Sequence, residues 1–197
     1  MRPALLALAA SAAIALPAAA QVNQASPGQS PARGVNPDPA VTVQLITATG
    51  QPAGTVEIRQ LTHGTVFIAD LRNLPPGPHG FHIHESGACD PPSFQAAGGH
   101  YNPLNTEHGF DSARGYHAGD LPNIHVTPQG TAKAEFHSTR VTLMQRMGAQ
   151  PAGTAGPFTL LDDNGSALMI HAKGDDYQAT TPDSTGERIA CGVIRAP

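Results

Sequence analysis

Apolar and polar residues alternate with a period of two in several short stretches of the chain. Val41, Val43 and Leu45 share one face of residues 40–47, Val56 and Ile58 one face of 54–61, and Ala132, Ala134 and Phe136 one face of 131–138. Successive side chains on a strand point to opposite sides, so this pattern predicts strands with one buried face. Residues 65–71, 80–85, 167–171 and 189–194 add further β-type runs. Turn signals separate them: Gly50 with Pro52, His63-Gly64, Pro75-Pro76-Gly77-Pro78, Pro128-Gln129-Gly130 and Asp163-Asn164-Gly165. No stretch carries a helical stripe. The expected fold is all-β, a Greek-key antiparallel β-sandwich or barrel, immunoglobulin-like, of about eight strands.

Residues 86–122 and 173–188 are too long and too polar for hairpin connections. Loops of this length in a compact domain are functional or disordered, and the first contains three spaced histidines, so both are read as functional loops. Residues 148–157, rich in Gly, Pro and Ala with no titratable side chain, read as a mobile surface loop. At the start, Arg2 precedes an apolar run from Ala4 to Leu16 broken only by Ser11, followed by Pro17, Ala18-Ala19-Ala20 and Gln21. That is the pattern of a signal peptide over residues 1–20, cut after Ala20; the run is too short to span a bilayer. Residues 21–39 are too poor in apolar side chains to repay ordering and read as a flexible linker. The folded domain is expected over 40–197, in a periplasmic or secreted protein free of the membrane once the signal is removed.

Composition narrows the class. With 21 Gly, 19 Pro, 13% charged residues and no Trp, the chain does not suit a helical bundle, a coiled coil or a charged tail. Eleven basic against 15 acidic residues give no electrostatic reason for a nucleic-acid partner. Export would place Cys89 and Cys191 where a disulfide persists, so they are read as a pair, with two unrelated buried thiols as the alternative.

The 10 histidines change the picture most. His82 and His84 occupy alternate positions of a strand, so both rings project from one face. His100, His108, His117 and Asp120 follow on the long loop, and His171 ends an apolar strand. Imidazoles with a carboxylate and no thiolate suit zinc or copper.

Gly80-Phe81-His82-Ile83-His84-Glu85, Gly98-Gly99-His100-Tyr101-Asn102-Pro103, His108-Gly109, His117-Ala118-Gly119-Asp120-Leu121-Pro122-Asn123, His171 with Asp175-Asp176, and Arg188-Ile189-Ala190-Cys191-Gly192-Val193-Ile194 together resemble a copper/zinc superoxide dismutase of the exported bacterial kind. The resemblance implies one copper per subunit, held by His82, His84, His100 and His171, and one zinc held by His100, His108, His117 and Asp120, with His100 bridging. It implies that Arg188 holds the anion beside copper and that Asp175, rather than Asp176, links a copper histidine to a zinc histidine. It implies the reaction too: superoxide reduces Cu(II) and leaves as dioxygen, and a second superoxide reoxidises the copper and leaves as hydrogen peroxide, with His100 taking a proton between. A non-enzymatic periplasmic copper/zinc-binding sandwich is the alternative. Homodimer and monomer are both open. The remaining histidines, His63, His79, His125 and His137, match no ligand position, and His79 is expected to be exposed at a turn. Lysines are scarce, so Arg114 and Lys173 are only guesses at steering charges.

Overall fold

The computed structural model describes residues 39–144, 157–178 and 184–196. Among them the strands are β1 Ala40–Thr47, β2 Pro52–Leu61, β3 Gly64–Leu71, β4 Gly77–His84, β5 Asp120–Val126, β6 Ala132–Ser138, β7 Val141–Thr142, β8 Phe158–Thr159, β9 Ser166–His171 and β10 Arg188–Ile194, with a single 3-10 turn at Gln95–Ala97 and no α-helix. Eight strands form one antiparallel sheet in the order β5-β4-β9-β10-β1-β2-β3-β6. The outer strands β5 and β6 come into contact, so the sheet is a nearly closed barrel. Three hairpin-linked strands with a later one returning beside the first, here β10-β1-β2-β3, make the Greek-key form.

The alternating positions do what the pattern predicts. Val43, Leu45, Val56, Ile58, Phe67, Leu71, Phe81 and Ile83 fill the barrel together with Leu121, Ile124, Leu168 and Ile170. Each large side chain fully buried there contributes about 1.5–3 kcal/mol. Because Phe81 and Ile83 point inward, His82 and His84 point outward from β4, toward the loops. β9 is buried throughout. Leu168 and Ile170 face the barrel, whereas Ala167 and Met169 join Phe94, Ala97 and Cys191 in a second, smaller cluster on the outer side. A disulfide between Cys89 and Cys191, Cα–Cα 5.6 Å, ties the chain after β4 down over β9 and β10.

Two expectations need correction. First, β4 begins at Gly77, not Gly80, so His79 lies within a strand and is 2% exposed rather than at an open turn. Its ring nitrogens meet two carbonyls, Pro75 O at 2.8 Å and His171 O at 2.7 Å. Second, Asp120–Val126 is a strand, although residues up to Pro122 read as loop. Pro122 lacks an N–H, which an outer strand such as β5 tolerates. β7 and β8, each too short to show a period in the sequence, form a parallel pair of two residues each. Gln60 of β2 holds them in place: its buried amide oxygen accepts the Leu143 N–H at 2.7 Å. The expected signal peptide, nearly all of the linker and residues 148–156 lie outside the described residues.

Candidate metal centre

Three backbone segments meet at one point and place most of the site. Tyr101 N–H donates to Ile83 O at 2.8 Å, Ile83 N–H to Gly119 O at 2.8 Å, and Gly119 N–H to Tyr101 O at 2.9 Å. Ile83 lies between His82 and His84, Tyr101 follows His100, and Gly119 lies between His117 and Asp120. The approach is so close that a Cβ at position 119 would stand 2.3 Å from Ile83 O, so only glycine fits. β4 is also registered so that His82 pairs with Asp120 of β5, and β9 so that His171 pairs with Arg188 of β10.

The first donor set centres on Asp120. Its Oδ2 accepts the Gly109 N–H at 3.0 Å and the His117 N–H at 3.1 Å. Backbone thus occupies one oxygen, and Oδ1 is left facing three imidazoles: Nδ1 of His100 at 3.0 Å, of His108 at 3.4 Å and of His117 at 3.2 Å. Nδ1 of His100 and His117 are 3.3 Å apart. A tetrahedral zinc with ligands at about 2.0–2.1 Å needs donor separations of roughly 3.3–3.4 Å, which these atoms nearly match. The charges agree with that reading. Burial would raise Asp120, but hydrogen bonds from His100, His108 and His117 outweigh it and hold the carboxyl well below its ordinary range. Burial would lower His108, but Asp120 and Asp175 outweigh it and carry the ring up to about 10. Burial dominates at His100 and takes it down to about 4 despite Asp120. The proton favoured on His108 sits where a metal cation would replace it.

The second set is His82, His84, His100 and His171, whose donor atoms all lie within 4.8 Å of one another. His82 Nε2–H donates to Asp175 Oδ2 at 2.8 Å, which leaves Nδ1 buried with no hydrogen-bond partner. His84 Nδ1–H donates to Gly98 O at 3.0 Å, leaving Nε2 to face His171 Nε2 at 3.3 Å. Two imidazole nitrogens that close, with their opposite nitrogens engaged, present lone pairs to a shared cation. Burial, reinforced by neighbouring imidazoles, pushes both His84 and His171 down to about 2, so each is a neutral donor. Imidazole sets of this kind suit copper.

Asp175 spans the two sets. Its Oδ1 accepts His108 Nε2–H at 3.0 Å while Oδ2 takes His82. Burial would raise it, but these imidazoles and the Tyr177 N–H hold it well below its ordinary range. Asp176 instead accepts the N–H of Gln178. Arg188 is half-buried, donating from Nη1 to Phe94 O at 2.8 Å and from Nη2 to Gly98 O at 2.7 Å. Gly98 O thus serves both the arginine and His84. Arg188, His84 and His171 line an open cleft of roughly 510 Å³, together with Glu85 and Glu187. Among the described residues Arg188 is the one Lys or Arg in that lining; Arg114 pairs with Glu107, and Lys173 is exposed outside it.

The structure therefore brings His82, His84, His100, His108, His117, Asp120, His171, Asp175 and Arg188 into one cluster, with the Cys89–Cys191 bond beneath it. His63, His125 and His137 stand apart on the surface side of the barrel. Residues without an assigned role in the sequence also belong to the setting. Asn123 clasps the backbone of Asp175 at both ends, donating from Nδ2 to Asp175 O at 2.8 Å and accepting the Asp175 N–H at 2.7 Å. Its place in the His117–Asn123 motif was the available signal. His79 holds the His171 carbonyl, a contact no local pattern announces.

Fold and site together define a β-barrel with two adjoining donor sets able to hold metal ions. The family model for copper/zinc superoxide dismutase (SODC) matches residues 52–194. Over 152 residues the chain is 38% identical to the copper-zinc superoxide dismutase 1 of Aquifex aeolicus, covering 77% of this chain and 85% of that one. It is 36% identical to the copper-zinc superoxide dismutase of Caulobacter vibrioides over 157 residues, covering 79% and 86%. The crystal structure of a superoxide dismutase-like protein from Bacillus subtilis is similar as well, with a TM-score of 0.68, 37% identity, and 78% of this chain and 97% of that chain covered. The chain belongs to the copper/zinc superoxide dismutase family.

Proposed function

We propose that this chain, carrying one copper and one zinc, converts two superoxide ions and two protons into dioxygen and hydrogen peroxide. The observation that carries the reading is a pair of donor sets sharing His100, with a fixed arginine beside the open one. Copper would be held by His82 Nδ1, His84 Nε2, His100 Nε2 and His171 Nε2, and zinc by Nδ1 of His100, His108 and His117 with Asp120 Oδ1. When bound, copper supplies a one-electron couple that accepts an electron from one superoxide and returns it to the next.

The chain's own residues do the rest. Arg188, permanently charged and braced by two carbonyls, binds the anion without taking part in proton exchange. His100 keeps its ring orientation through Nδ1 on the Asp120 side, so Nε2 can accept a proton and pass it to the departing peroxide. Asp175 holds the Nε2–H of His82 and His108 and keeps both rings aimed.

Elemental analysis with a superoxide decay assay tests this. Protein loaded with both metals is expected to speed dismutation, and full occupancy with no activity would overturn the reading. We also propose export, with cleavage of residues 1–20, residues 21–39 as a tether, and residues 40–197 as the domain. The Cys89–Cys191 bond supports it, since disulfides persist in oxidising compartments. Mass spectrometry of protein from the periplasm or medium should find a chain starting at Gln21; an intact chain starting at Met1 would contradict it.

A further inference from the structure

Thr185 lies three positions before Arg188 and is 1% exposed. Its carbonyl accepts the Lys173 N–H at 2.8 Å. Its methyl fills the space left by Gly80, where a Cβ would stand 2.8 Å from Thr185 Cγ2. A β-branched side chain has few rotamers, and the one adopted here seats the methyl against Gly80 with the hydroxyl turned toward His171. Thr185 Oγ1 lies 3.1 Å from His171 Nδ1, nearer than Gly186 O at 3.4 Å.

The other strand histidines of the copper set each have a well-placed acceptor for the nitrogen turned away from the cluster. His82 has Asp175 at 2.8 Å and His84 has Gly98 O at 3.0 Å. The carbonyl offered to His171 is too long to do this well. We propose that Thr185 is a positioning residue for His171: its Oγ1 accepts the Nδ1–H and fixes the tautomer that leaves Nε2 as the donor to copper. His79 holds the backbone carbonyl of the same residue at 2.7 Å, so His171 is braced on backbone and ring alike. The inference rests on the copper assignment proposed above.

Thr185→Val keeps shape and methyl but removes the acceptor, while Thr185→Ser keeps the hydroxyl. Measured by chelator competition on zinc-loaded protein, copper affinity is expected to fall about 10–100-fold in Thr185→Val. Thr185→Ser should recover most of it, with zinc content constant in both. The Cu(II) electron paramagnetic resonance spectrum should change in the valine variant and return in the serine one. Valine and wild type alike in affinity and spectrum, or serine as weak as valine, would overturn the inference. Nitrogen-15 spectra of zinc-loaded wild type give a reading that needs no variant to fold: an Nδ1–H tautomer at His171 supports the role, and an Nε2–H tautomer overturns it. If wild type takes up no copper, or His171→Ala takes up as much, the copper assignment itself has failed, and the affinity measurement on wild type separates that case.

Discussion

The two donor sets share His100 yet are assembled by different means. The set proposed for zinc comes from one stretch, His100 to Asp120, gathered around a single carboxylate whose second oxygen is tied to backbone N–H groups. The set proposed for copper draws on β4, the loop and β9, and its spacing is fixed by strand pairing rather than by any central charge. One half is therefore held by local electrostatics and the other by the barrel. Damage to one should spare the other, except at residues that touch both.

The largest expected effect tests that division directly. His171→Ala should abolish dismutation and copper uptake while zinc stays bound, and Asp120→Ala should release zinc first, since removing one partner of a buried charged cluster costs about 3–5 kcal/mol. Metal analysis of the two variants checks it; loss of zinc in His171→Ala would break the comparison. Next, Arg188→Ala should lower kcat/KM about 10²–10³-fold, the scale of losing a placed anion-binding donor, with both metals retained. A parallel loss of metal would instead make Arg188 structural. Asp175→Ala, which strips a partner from one histidine of each half, should weaken both metals by about 10–100-fold in competition assays.

The smallest effect concerns protons. His108 is raised to about 10, so at neutral pH it carries a proton that zinc must displace, whereas His84 and His171, lowered to about 2, carry none. Zinc affinity should therefore rise about tenfold per pH unit from neutrality toward pH 10 and level off above it, with about one proton released per zinc. Calorimetry in buffers of different ionisation enthalpy measures that proton. A pH-independent zinc affinity would remove the electrostatic half of the contrast.

What could be read in the sequence follows the same divide. Chemistry-bearing side chains at strand or motif spacing, His82 with His84 above all, are visible because their type and period coincide. The strands with clean alternation are visible for the same reason. His79 has the sequence setting of a turn because its neighbours Pro78 and Gly80 are turn formers, while the carbonyl that justifies its burial belongs to His171, far along the chain. β5 was hidden by Pro122 and Asn123, which interrupt apolar alternation, although pairing with β4 makes the segment a strand. Asn123 itself carries no charge and titrates nowhere, so only the fold reveals that it grips Asp175. Register and long-range backbone contacts are properties of pairs of segments, and a single pass along the chain does not contain them.

The pairing of His171 with Arg188 has a consequence for how this protein can vary. The two residues are joined by the connection between β9 and β10, but their separation is set by the β9–β10 ladder, not by the length of that connection. Changes of length in that connection leave this pairing intact as long as Asp175 and Thr185 keep their own contacts with Asn123 and His171. A one-residue slip of β10 would turn Arg188 to the opposite face and carry Cys191 away from Cys89 in the same step. Register thus keeps the arginine, the histidine and the disulfide together, whatever the number of residues that join the two strands.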